Sequence, residues 1–131
     1  MSGYRAEHVF ALTTITTGYT TVGAAWVINT RGGYASLEID NSGGHDLTDL
    51  KIQLQFHRDA AFVDYLVAAD YIASPLPDNL FFVSGTPGTT ASAGKTYVIV
   101  QIPAAYAIQI QAKVSSSTSS LTVRGSFVEV I

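Results

Sequence analysis

The sequence predicts an all-β fold, an antiparallel β-sandwich of the jelly-roll or Ig-like kind. Three observations predict it. Apolar residues recur at every second position over several stretches, those stretches are rich in β-branched and aromatic side chains, and clusters of Gly, Asn, Asp, Ser and Pro stand between them. Alternation of this kind marks a strand with one face in a core and one face wet.

The elements follow in chain order. "HVFALTTIT" and "TTVGAAWVI" read as strands by composition, without a fixed phase. "NTRGG" after Ile28 reads as a turn. In "YASLEID", Ala35, Leu37 and Ile39 alternate with Ser36, Glu38 and Asp40. "DNSGGHD" is a turn whose Asn and glycines suit positive φ. In "LKIQLQFH", Leu50, Ile52, Leu54 and Phe56 alternate with Lys51, Gln53, Gln55 and His57. "AAFVDYLVAADY" breaks the period: Phe62, Tyr65, Leu66 and Ala69 are spaced for one helical face, which predicts a short helix or irregular crossover near residues 60–70. "NLFFVS", "TYVIVQI" and "IQIQAKV" are strands, the last with Ile108, Ile110, Ala112 and Val114 inward. "SSSTSS" is a connection, and "LTVRGSFVEV" a final strand with Thr122, Arg124, Ser126 and Val128 on one side.

The 131 residues make one domain, 1–131, with no internal repeat, and are enough to bury about two-thirds of the unfolded surface. Residues 1–17 read as an extended arm able to reach a neighbour. Charged residues are 13% of the chain, about half the proportion usual in soluble domains, with Ser and Thr supplying most of the remaining polarity. Strands with so few charges tend to associate edge to edge, so the composition predicts a subunit covered by neighbours. The net charge of −3 offers no basic footprint for nucleic acid. Without cysteine there is neither a disulfide framework nor a thiolate metal site. "MSGYRAEHVF" lacks an apolar signal core, so secretion is not indicated, and the uncharged run between Lys95 and Lys113 is too short and too polar for a spanning helix. No membrane partner is expected.

"GTPGTTASAGKT" invites reading as a phosphate loop, but five residues, not four, separate Gly88 from Gly94, and a strand follows it where a helix N-terminus is needed. It is read as a hairpin tip. His8, His45 and His57 stand in no zinc pattern. Asp40, Asp46 and Asp49 with Asn41 offer oxygen ligands for calcium, against the simpler reading of turn chemistry; whether calcium binds there is open at this stage. Asp59, Asp64 and Asp70 offer a general acid–base pair, against capping and solvation. Trp26, Tyr34, Tyr65, Tyr71, Tyr97 and Tyr106 offer a sugar-stacking platform, against core or interface anchors. No catalytic, cofactor-binding or metal residues are assigned, no cofactor is expected, and the chain is read as not an enzyme.

"IDNSGGHDLTDLKIQLQFHRDA", "DYLVAADY" and "YAIQIQAKVSSSTSSLTVRGSF", within residues 35–127, resemble segments of small β-sandwich structural proteins of tailed bacteriophages, in particular capsid decoration (cement) proteins. The resemblance implies a virion component on the capsid surface that bridges major capsid subunits, partnered by the major capsid protein and by copies of itself as a homotrimer. The alternatives are a tail, neck or adaptor structural protein, and a carbohydrate-binding β-sandwich module.

Overall fold

The computed structural model describes residues 5–67, 80–84 and 89–130. The strands are β1 (Arg5–Ile15), β2 (Thr20–Thr21), β3 (Trp26–Asn41), β4 (Leu47–Gln55), β5 (Val63–Val67), β6 (Leu80–Ser84), β7 (Gly94–Val114) and β8 (Ser119–Glu129). All pairings are antiparallel, in one eight-stranded sheet of order β1-β8-β3-β7-β4-β5, with β2 and β6 also paired to β7. The sequence predicts two stacked sheets; the structure has one continuous sheet, because β3 carries its hydrogen bonding through "NTRGG", read as a turn, and β7 runs unbroken from "TYVIVQI" to "IQIQAKV", read as separate strands.

The sheet covers itself. Asn41 pairs with Gly94 at the start of β7, and Leu47 pairs with Val114 at its end. Leu47 also exchanges backbone hydrogen bonds of 2.8 and 3.2 Å with Thr90, just before Gly94. Both ends of a 21-residue strand therefore meet at one end of the molecule, whereas a straight strand of that length spans roughly 70 Å. β7 is bent double. Its first leg lies between β3 and β6, and its second carries β4 on one side and β2 with the start of β3 on the other.

The bend is written in the phase of burial. In β7, Val98, Val100 and Ile102 are buried, then Ala105 and Ala107, then Ile108, Ile110, Ala112 and Val114. In β3 the buried set passes from Trp26, Ile28 and Thr30 to Ala35, Leu37 and Ile39. Gly32, at φ 136°, pairs with Pro103 at this switch, a conformation L side chains avoid beside a residue with no N–H to donate. A Cβ on Gly33 would stand 2.1 Å from the Val128 carbonyl oxygen and 2.8 Å from the Phe127 ring. "NTRGG" is thus a corner inside a strand, where sequence reading expects a turn between strands.

One apolar cluster fills the space between the legs, drawing on β1, β3, β4, β5, β7 and β8. Trp26 is its aromatic centre, edge-on to Phe10 and Phe127 and stacked with His8 at 5.6 Å. Gly125 leaves room for the indole, since a Cβ there would meet it at 2.6 Å. At the open ends of β7, buried Asn41 donates to the carbonyls of His45 (2.8 Å) and Thr90 (3.1 Å) and accepts from the Gly43 amide and the Ser119 hydroxyl, so all four of its hydrogen-bonding positions are used.

Two expectations are corrected. Residues 57–60 form a turn and Val63–Val67 is strand β5 paired with β4, not helix, with Leu66 buried, and residues 68–70 lie outside the described residues. Nor do residues 5–15 of the expected arm hang free, while residues 1–4 lie outside the described residues. Arg5–Ile15 is a full strand on β8, with Phe10 and Ile15 wholly buried, because those side chains close one side of the core.

Gly33→Ala should lower the unfolding free energy by about 3 kcal/mol. Gly44→Ala, where a Cβ meets nothing within 4 Å, should change it by less than about 0.5 kcal/mol. Urea denaturation followed by tryptophan fluorescence measures both.

Candidate interaction surfaces

The residues singled out for chemistry are scattered by the fold. Gly94, Lys95 and Thr96 belong to β7, where Lys95 lies 4.0 Å from Glu38 and the Thr96 hydroxyl meets that of Thr90 at 2.8 Å. The Gly-rich connector joins antiparallel β6 and β7, a hairpin with no helix after it; residues 85–88 lie outside the described residues. His8 Nε2 donates to the Ala24 carbonyl at 3.0 Å and His45 Nδ1 to that of Thr118 at 2.9 Å, both fastening loops. The three carboxylates of the Asp-rich loop point apart. Asp40 pairs with Arg124, Asp46 accepts from the Ser92 amide, and Asp49 accepts from the Tyr19 hydroxyl and the Leu50 amide. Among the described residues no three His, Cys, Asp or Glu side chains converge. Asp59 sits in an exposed turn and Asp64 on β5, while Asp70 and Tyr71 lie outside the described residues. Trp26 is 4% exposed, which removes it from any sugar platform. Tyr34 and Tyr97 face outward on β3 and β7, the Tyr65 hydroxyl donates to the Gln101 carbonyl, and Tyr106 lies at the corner.

What the sheet does create is two unlike outer faces. Over the second leg of β7 the face is a polar ladder in which Gln109 donates to Gln53, Gln53 to Asp64, and Gln111 to Thr21. Lys51 and Lys113 stand 4.1 and 4.7 Å from the ring of Tyr19, and Lys51 also pairs with Asp64 at 3.4 Å. The Gln53 amide chiefly, with help from Lys51, holds the Asp64 carboxyl below its ordinary value against the opposing effect of burial. This face is internally satisfied.

Over the first leg the outer face is built from rows of directly paired residues: Arg5–Val128–Tyr34–Gln101, Glu7–Ser126–Ser36–Ile99, and Val9–Arg124–Glu38–Tyr97. Paired residues share a face, so these side chains form one surface. Val9, Tyr34, Tyr97 and Val128 are 54, 40, 39 and 37% exposed. Its charges cancel locally, Arg124 pairing with Glu38 at 3.1 Å and Asp40 at 3.6 Å. A shallow depression of about 410 Å³ lies between Glu7, Ser36, Tyr97, Ile99 and Arg124. Sequence periodicity sets Ser36 and Glu38 opposite the inward Ala35, Leu37 and Ile39 and puts Arg124, Ser126 and Val128 on one side, but gives β1 and the start of β7 no phase, and only the strand order sets the four strands side by side.

At the corner, Glu129 closes the core. Its carboxylate accepts from the Thr30 hydroxyl at 2.7 Å and the Arg31 amide at 3.2 Å. The Thr30 bond, then that of Arg31 and its charge, hold the carboxyl below its ordinary value, with desolvation opposing them. Nothing in the sequence pattern announces this pairing of residues almost a hundred positions apart.

No family model matches the chain, and no curated protein matches it. A solved structure does. The crystal structure of the SPBc2 prophage-derived protein YomS superimposes with a TM-score of 0.55 over 96% of this chain and 94% of that one, at 12% sequence identity. The fold is shared. A structure of Bacillus endospore appendages, described as disulfide-linked pili, gives a TM-score of 0.43 at 9% identity over 98% of this chain and 91% of that one, too low a score to argue a common fold.

A carboxyl held below its ordinary value stabilises the fold above that value, 4.5 for Glu129, and loses the contribution as pH falls through the lowered one. Between about pH 5 and 3 the urea midpoint of the native chain should therefore drop more steeply than that of Glu129→Gln. Equal slopes would mean that the Thr30 bond does not favour the charged form.

Proposed function

We propose that this protein is a structural subunit of a bacteriophage particle, and within that class a capsid decoration (cement) protein that bridges major capsid subunits. The observation that carries the reading is the contrast between its faces: one a closed polar ladder, the other a charge-balanced surface studded with Val9, Tyr34, Tyr97 and Val128. Tyrosine is enriched at the centres of interfaces, and charges that neutralise one another lower the cost of removing the face from water. The fold held in common with a prophage-derived protein agrees with it, as does the low charge of the whole chain.

The function is mechanical. Covering 400 Å² of apolar area contributes about 10 kcal/mol, which is comparable to the free energy lost on immobilising one partner. A single copy would therefore hold weakly. Copies joined as a homotrimer bind with a raised effective concentration, and separating the capsid subunits beneath them requires releasing several faces at once. No cofactor takes part.

The double variant Tyr34→Glu/Val128→Glu should fold with little change in thermal midpoint, since both side chains are exposed. Its occupancy on particles assembled without the native protein should fall by at least about tenfold, because two carboxylates would be buried unpaired. Cryo-electron microscopy of the particles reads occupancy directly. Density confined to the neck or tail would assign the protein there, and undiminished occupancy of the variant would exclude this face.

A further inference from the structure

We propose that the cavity at the sheet corner is a socket for a carboxylate-bearing peptide segment, with Arg58 as the group that recognises the acid. The cavity, about 720 Å³, is walled by Asn29, Phe56, His57, Arg58, Ala105 and Tyr106. It is open to solvent, like the depression over the first leg of β7, and its size admits two or three side chains of a partner.

The residues around it point to a ligand. Arg58 stands over the Tyr106 ring, its guanidinium carbon 5.8 Å from the ring centroid. Backing of that kind orients the planar cation while leaving its N–H edges for bidentate pairing with a carboxylate. The ion pairs among the described residues involve Lys51, Lys95 and Arg124, so Arg58 has no acid of its own there, not even its exposed neighbour Asp59. The turn that presents Arg58 is fixed from below, Gln55 Nε2 donating to the carbonyls of Arg58 (2.9 Å) and Ala60 (2.8 Å) and the Ala60 amide to that of His57 (3.1 Å). Opposite, Asn29 sits at φ 41° in a register shift between Val27 and Thr30. Ala93 and Ser117, which share that left-handed conformation, are in connections, whereas Asn29 is inside a strand. Bulges of this sort re-aim a side chain, and here Asn29 lines the cavity. Half-exposed Phe56 supplies an apolar wall, so the segment that fits carries an aromatic or aliphatic residue beside its acid.

The assignment stands apart from the particle reading, and its test needs no particle. The purified full chain, isotope-labelled for NMR, is titrated with N-acetyl-Phe-Glu-amide, with N-acetyl-Phe-Gln-amide and with N-acetylglucosamine. The acidic peptide should shift the resonances of Asn29, Arg58 and Tyr106 and bind about tenfold more tightly than its amide counterpart, the discrimination one charge-assisted hydrogen bond provides. Arg58→Gln, whose backbone still accepts from Gln55, should erase that preference, while Arg5→Gln on the far face should keep it. Equal binding of the two peptides, tighter binding of the sugar, or no localised shifts up to about 20 mM peptide would each overturn the proposal.

Discussion

Among the described residues no helix covers the sheet, so the sheet must cover itself, and everything else described in this molecule follows from that constraint. Burying one face of a sheet requires an opposing layer, and the chain supplies it by bending β7 double around the Gly32–Pro103 corner. The corner needs a residue tolerant of φ 136° and a neighbour without a side chain beneath the Val128 carbonyl, and two consecutive glycines meet both needs. Glu129 then fastens β8 to the same corner by its bonds to Thr30 and Arg31, while Asn41 fastens the opposite end, where both termini of β7 arrive.

That single bend also separates the two outer faces. The two legs of β7 look outward in opposite directions, so each carries its own set of solvent-facing neighbours. Glutamines, lysines and Tyr19 gather over one leg, and tyrosines, valines and a cancelled ion-pair network over the other. Asymmetry of this kind suits a subunit with one side on an assembly and one side in water. The corner adds a third surface, because the phase shifts in β3 and the turn after β4 leave Asn29, Arg58 and Tyr106 around an open cavity.

Much of this was legible in the sequence. Period-two alternation places Ala35, Leu37, Ile39, Leu50, Ile52, Leu54, Ile108, Ile110, Ala112 and Val114 in the core, and all are buried. Phe56 departs from the pattern because β4 ends at Gln55 and the chain turns away, leaving it 45% exposed. Arg124, Ser126 and Val128 likewise alternate with buried neighbours, whereas Thr122, grouped with them by the sequence, is itself buried. "AAFVDYLVAADY" misleads because a short apolar run fits either period, and in Val63–Val67 pairing with β4 decides for a strand.

Local patterning by itself determined the all-β class, the inward phase of most strands, the hairpin nature of the Gly-rich stretch and the low surface charge, because each depends on residues within a few positions of one another. Tertiary structure alone decided that "NTRGG" and "IPAA" are corners within strands, that "HVFALTTI" closes the core as an edge strand, and that Glu129 meets Thr30. Glycine and proline disrupt regular pairing equally well in a loop and at a bend, so their presence cannot distinguish the two. Which it is depends on whether distant strands continue the hydrogen bonding past them, and that is a property of the assembled sheet.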